Sequence, residues 1–227
     1  MAFIHETVEL LELDAVTRDD GVRHYATPKG HFPSITTTLS ILSRDVIEKW
    51  KARVGEEEAA RVSYRASVRG TAVHEIIEKY IDNVEGFKDG YTPDIINSFL
   101  AVKPILDNRI GRVFAQEAPL YSEHLGVAGR VDCVAEFDGK RSIIDFKTSK
   151  KPKPKAWITN YFMQETAYAI MWEERTGQPI EQLVTIISVD GENEPQVFIE
   201  HRDNWSGKLI ETIKQYYEEN NLVHPSL

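Results

Sequence analysis

The run VAGRVDCVAEFDGKRSIIDFKTS, residues 127–149, decides the architecture. At its centre stands Asp138-Gly139, a two-residue turn signal, because both residue types tolerate the positive φ that a tight hairpin demands. The flanks are rich in β-branched and apolar residues, which predicts strands over Val127 to Phe137 and Arg141 to Lys147. Side chains two apart along a strand share a face. Asp145 and Lys147 therefore project together, while on the partner strand Val131, Cys133, Ala135 and Phe137 form an apolar face that leaves Arg130, Asp132 and Glu136 on the other. Asp132 lies six residues before Asp138, and Asp145 six after Gly139, so the two acids are expected across the ladder from each other.

Two neighbouring carboxylates repel unless something neutralises them, and a divalent cation does so. Hard oxygen donors suit Mg2+ or Mn2+, an ion able to activate water and offset developing anionic charge. Lys147 would orient the attacking water or stabilise the transition state. An isolated Asp-x-Lys is common, and its ordinary reading is a solvated, salt-bridged strand end.

Outward from the hairpin, the pattern predicts a mixed sheet flanked by helices, in the α/β or α+β class. Residues Glu6 to Ala26 read as a β-hairpin, with alternation through Val8 to Leu13 and a turn at Asp19-Asp20-Gly21. Pro33, Ser34 and three threonines form a helix start with hydroxyl caps. Helices follow over Arg44 to Val54 and Glu56 to about Ile81, with Gly70 a candidate break, and a third enters at Thr92-Pro93 under a capping hydroxyl and reaches about Ile110. A strand is expected over Val113 to Ser122, a lysine- and proline-rich loop over Thr148 to Lys155, and a helix over Ile158 to Arg175. Strands at Leu183 to Val189 and Gln196 to His201 and a helix from Trp205 to Glu219 complete the chain. With 227 residues we expect a single domain, comprising an N-terminal hairpin (1–32), a helical elaboration (33–110), a core (111–202) and a C-terminal helix (203–227).

Composition narrows the function classes. Cys133 is the one cysteine, which excludes an intramolecular disulfide, an iron–sulfur cluster and a structural zinc finger; it reads as a small buried apolar residue. No apolar run approaches a membrane span of about 20 residues, and the acidic opening MAFIHETVELLELD lacks a leader's basic and apolar character. The expectation is a soluble, cytoplasmic protein. A net charge of −9 argues against a coat of basic residues, so any nucleic-acid contact must be local.

Taken together, Gly129-Arg130-Val131-Asp132, Ile143-Ile144-Asp145-Phe146-Lys147-Thr148-Ser149, Gln164-x-x-x-Tyr168 and the upstream Gly70-Thr71-Ala72-Val73-His74-Glu75-Ile76-Ile77-Glu78 closely resemble the RecB-like branch of the PD-(D/E)XK nucleases. Within that branch the likeness is to the mitochondrial genome maintenance exonucleases and their phage relatives, over residues 23–175. The resemblance implies that His74, Asp132, Asp145 and the backbone carbonyl of Phe146 ligate a metal and that Lys147 is the catalytic lysine. It also implies that Glu117 assists the site, that Gln164 positions substrate or Lys147, and that Tyr168 faces the site one helical turn on or serves the structure. His74-Glu75 is also half of a zinc-peptidase signature, but that motif needs histidine where this chain has Glu78, which instead shares a face with His74 and could orient its ring.

The implied substrate is DNA, and two segments suit it. Arg61, Arg65 and Arg69 recur every fourth residue with Tyr64 beside them, a cationic and aromatic track for a single strand, unless Glu56, Glu57 and Glu58 pair with those arginines. Ser149, Lys150, Lys151, Lys153 and Lys155 follow the catalytic lysine and could meet phosphates. The expected activity is a Mg2+- or Mn2+-dependent exonuclease on single-stranded DNA, of bacterial or phage type, with replication or recombination proteins as partners. A duplex-end exonuclease of the lambda type and a structure-specific endonuclease share the same core, and a DNA-binding subunit with an inactive nuclease fold is the non-enzymatic alternative.

Overall fold

The structure, a computed structural model, describes residues 2–17 and 22–225. Its centre is a five-stranded mixed sheet, formed in spatial order by β4 (Ile110–Ser122), β5 (Val127–Phe137), β6 (Lys140–Ser149), β7 (Gln182–Val189) and β8 (Gln196–His201). Asp138 and Gly139 take φ 52° and 76°, the conformation the turn chemistry predicts, and they pair β5 antiparallel with β6. β6 and β7 run parallel, which requires a crossover, and α5 (Thr159–Thr176) supplies it. The remaining pairs are antiparallel.

Helices cover both faces. On one, α5 and α6 (Asp203–Glu219) join the short α1 (Ile35–Leu39) over a core that includes Val134, Ile143, Met163, Trp172 and Ile213. On the other, α3 (Glu56–Ile81) and α4 (Pro93–Arg109) pack Val73, Ile76, Ile77, Phe99 and Leu106 against Cys133, Ala135, Phe137 and Ile144. Burial on both faces explains why β7, QLVTIISV, reads as a nearly continuous apolar run. The expected apolar face of β5 needs one correction: Val131 belongs to the core under α5, whereas Cys133, Ala135 and Phe137 lie under α3 and α4. The face exchange falls at Asp132, opposite a β4 segment whose Glu117 has φ 44°.

Two of the predicted helices, α2 (Arg44–Val54) and α3, have the expected limits, but α3 runs unbroken through Gly70. A side chain there would meet Thr148 Oγ1 on β6 only at an ordinary contact distance of 4.0 Å, and the helix carries through the position without a hinge. Ser34 caps α1 by accepting the N–H of Thr37 at 3.1 Å. Thr92 stands at the N-cap of α4 without the expected side-chain hydrogen bond, so Pro93 and tertiary packing define that start.

The N-terminal reading is also corrected. Among the described residues of that hairpin, only Ala15–Thr17 (β1) pairs with β2 (Arg23–Thr27), which pairs in turn with β3 (Gly30–Pro33), giving a three-stranded sheet. The Asp19-Asp20-Gly21 turn lies outside the described residues. Val8 to Leu13 form no strand of the hairpin; the preceding segment lies along β4, where Val113 N–H donates to Ile4 O and Glu6 N–H to Val113 O, each at 2.8 Å. The free edge of β4 offers unpaired backbone groups, and the N-terminal segment satisfies them. Strand β6 also extends past Lys147, because Thr148 and Ser149 remain in register with Ser188 and Val189 of β7; the lysine-rich loop therefore begins at Lys150.

Candidate metal and nuclease site

Regular pairing of β5 with β6 ends at Cys133 and Ile144, and the next position on each strand is an acid, Asp132 and Asp145. Asp132 Oδ2 accepts the backbone N–H of Phe146 at 2.8 Å, which ties its carboxylate to the strand carrying Asp145. Asp145 is 1% exposed. Its Oδ1 accepts from Gln164 Nε2 of α5 at 3.1 Å, and its Oδ2 is ion-paired with Lys147, two residues on along the same face. The Lys147 ammonium also lies 5.2 Å from the ring centroid of Tyr161.

From the opposite side α3 delivers His74, whose Nδ1 is 3.6 Å from Asp132 Oδ2 and 4.0 Å from Glu117 Oε1. Ligand atoms of His74, Glu117 and Asp132 all lie within 4.8 Å of one another. Glu117 reaches this group from a backbone conformation uncommon for a residue with a side chain, a strain that the strand pairing on either side of it sustains. Arg130 donates to the Glu117 carbonyl oxygen.

The electrostatics describe a site with surplus negative charge. Burial, and then the charge of Asp132, push the Glu117 carboxyl up to about 7. Burial pushes Asp145 up to about 6 against the opposing pull of Lys147. Burial works against the Lys147 ammonium, yet the carboxylates of Asp145 and Asp132 outweigh it and hold that group above its ordinary range. One imidazole and two carboxylates around a point, with one carboxyl held towards its uncharged form by burial and by its acidic neighbour, fit a hard divalent cation. Asp145 stands outside this trio with its oxygens turned to Gln164 and Lys147, and Phe146 meets the site through its N–H.

Gln164 thus braces Asp145 rather than Lys147. Tyr168, 2% exposed, stands 3.4 Å from Gln164 Nε2 and packs on Gly129, where a Cβ would come within 2.8 Å of its ring. Glu78 lines the same cleft as His74, and burial followed by the charges of Asp82 and Glu75 raises its carboxyl above the ordinary range. Sequence reasoning missed Glu165. It is fully buried on α5, accepts from the Thr185 hydroxyl, and has an Oε2 without a hydrogen-bond partner; burial and the charge of Asp145 hold its carboxyl well above the ordinary range. Its signal was available, as a carboxylate within the otherwise buried stretch of α5 that directly follows Gln164.

A cleft of about 450 Å³ opens over the site. His74, Glu78, Glu117, Asp132, Gln164 and Tyr168 line it, and Arg23, Tyr25, Ser34 and Thr36 contribute a wall that sequence reasoning did not single out. The predicted substrate residues diverge. Arg61 is paired with Glu58 at 2.5 Å, Arg65 is exposed, and Tyr64 is 71% exposed, whereas Arg69 donates to Ser98 Oγ at 2.9 Å and is ion-paired with Asp190. Lys150 and Lys151 are exposed and Lys153 is half-buried, while Lys155 is ion-paired with Glu200. Ser149 is buried, with its hydroxyl donating to Lys151 O at 2.7 Å. Among the described residues no helix is long and apolar enough to cross a membrane.

A model of the family described as the PD-(D/E)XK nuclease superfamily matches residues 98–221. The chain is 33% identical over 131 residues to Mitochondrial genome maintenance exonuclease 1 of Homo sapiens, covering 54% of this chain and 38% of that protein. Identity to the protein of that name from Mus musculus is 33% over 112 residues, 48% of this chain and 33% of that one. For Xenopus tropicalis it is 30% over 133 residues, 55% and 38% respectively. The matched segment thus spans well under half the length of these relatives.

Proposed function

This chain belongs to the PD-(D/E)XK nuclease superfamily, and from that premise we propose that it is a divalent-metal-dependent DNA exonuclease acting preferentially on single strands. The observation that carries the reading is the convergence of His74, Glu117 and Asp132 beside the Asp145–Lys147 pair. We assign Mg2+ or Mn2+ to His74, Glu117 and Asp132, with Asp145 and the Phe146 carbonyl completing the donors. Such an ion, when bound, activates water and neutralises charge on the scissile phosphate.

The chain's own groups do the rest. Lys147, kept cationic by its carboxylate neighbours, orients the nucleophile and stabilises the anionic oxygens of the transition state. Gln164 holds the Asp145 carboxylate in place through its amide. Exposed Tyr64 and Arg65 on α3 support a single-stranded substrate, since phosphate contact and base stacking together are what an unpaired strand requires.

End-labelled single-stranded, duplex and circular DNA, each with Mg2+, Mn2+ or a chelator, test the proposal. The expected result is metal-dependent release of nucleotides from single-stranded ends. A cut circle would make the protein an endonuclease, and preference for duplex ends would overturn the single-strand assignment.

A further inference from the structure

We propose that Trp157 is a stacking platform for an unpaired nucleobase and that, with Lys150, Lys151 and Lys153, it forms a subsite for the DNA strand. The inference deepens the nuclease reading and rests on it for the identity of the polyanion.

Trp157 is 74% exposed, while Trp172 is fully buried in the core. Scattered apolar side chains on a surface need no explanation, but this one is mounted on a braced turn. The Lys153 N–H donates to Gln196 Oε1 at 2.7 Å and Gln196 Nε2 returns a bond to Lys153 O at 3.1 Å. The Trp157 N–H closes a 3-10 turn on Pro154 O at 2.9 Å, and the next residue, Ile158, is buried with Phe162, Ile187 and Val189. The main chain that carries the ring is thus fixed, so little backbone freedom is lost when something stacks on it.

The surroundings fit a nucleic acid. Lys150, Lys151 and Lys153 form no ion pair among the described residues, a local cationic patch on a chain of net charge −9. Four residues after Trp157, Tyr161 lies under the Lys147 ammonium, so one short segment carries both the exposed ring and a contact with the hydrolytic lysine. Cations along a backbone path with an aromatic for the bases are the two elements of single-strand binding.

The test is binding of a fluorescently labelled oligo-dT strand in chelator, where no cleavage occurs, by the wild-type protein and by Trp157→Ala, Trp157→Leu and Trp157→Phe. We expect Ala and Leu to weaken binding about tenfold, as for loss of one stacked base, and Phe to retain most of it. On a strand of abasic residues the variants and the wild type should bind alike. Binding by Trp157→Leu equal to wild type overturns the proposal, as does an equal loss on the abasic strand or no binding by the wild type. A protein that binds through Trp157 but cleaves nothing with Mg2+ or Mn2+ would instead overturn the hydrolytic reading and leave the subsite standing.

Discussion

The carboxylate of Asp132 accepts the backbone N–H of Phe146 at 2.8 Å, so the residue that follows Asp145 holds the acid opposite it. Asp132 therefore has a structural and an electrostatic duty, and substitutions separate them. Asp132→Asn keeps an acceptor for Phe146 and should fold normally, whereas Asp132→Ala leaves that N–H without its partner and should be about 1–2 kcal/mol less stable. Both should lose Mn2+ affinity by more than the roughly 10–100-fold that removal of an outer-shell partner costs. Urea denaturation and titration calorimetry check the two effects; unchanged Mn2+ affinity in Asp132→Asn would remove it from the donor set.

Lys147 and Asp145 form an ion pair in which the acid is 1% and the ammonium side chain 21% exposed. Breaking a buried pair leaves an uncompensated charge, so Lys147→Met should cost on the order of 3 kcal/mol in chemical denaturation. Metal-dependent cleavage should disappear in this variant while oligonucleotide binding in chelator persists.

Glu117 couples stability to pH. Its folded-state carboxyl, at about 7, lies above the ordinary 4.5, so between those values the folded protein binds more protons than the unfolded chain. Stability of the metal-free protein should therefore fall as pH rises from about 4.5 to 7, and Glu117→Gln should flatten that slope. Added Mn2+ should do likewise. Thermal melts across this range provide the check, and a slope unchanged in Glu117→Gln would refute the assignment.

Glu165 is fully buried, with Thr185 donating to one of its oxygens and nothing to the other. Burial, and then the charge of Asp145, hold its carboxyl well above the ordinary range and so favour the uncharged form, which an amide imitates. Glu165→Gln should thus remain within about 1 kcal/mol of wild type, while Glu165→Ala opens a cavity and should lose about 2 kcal/mol or more.

Gly129 is required by contact rather than by φ. A methyl there would meet the Tyr168 ring at 2.8 Å and Ile35 Cγ2 at 3.1 Å. Gly129→Ala should destabilise by about 1–3 kcal/mol through overpacking. Displacing Tyr168 also disturbs Gln164, so activity should fall with stability.

The hairpin was legible because its causes are local. Asp138-Gly139 fixes the turn, the flanking residues favour the strands, and equal spacing brings Asp132 and Asp145 to the positions just past the Cys133–Ile144 pair, all within residues 127–149. Helix limits such as those of α2 and α3 followed from the periodicity of apolar positions for the same reason. The N-terminal segment misled because its alternation matched a strand of the small sheet, while an open edge of β4 was available only in the folded molecule. Nor could periodicity reveal that Val131 changes faces, since the exchange coincides with the backbone at Glu117.

What the sequence determined by itself is the helices and strands from α2 onward, their order, the antiparallel pairing of β5 with β6 and the identity of the acids and lysine placed there. What only the tertiary structure decided is their grouping: His74 and Glu117 close on Asp132, Gln164 and Lys147 take the oxygens of Asp145, and Glu165 is sealed beneath Thr185. Turn and strand propensities act over a few residues, whereas a shared site between α3, β4, β5, β6 and α5 exists only once burial of the two cores has brought those segments together.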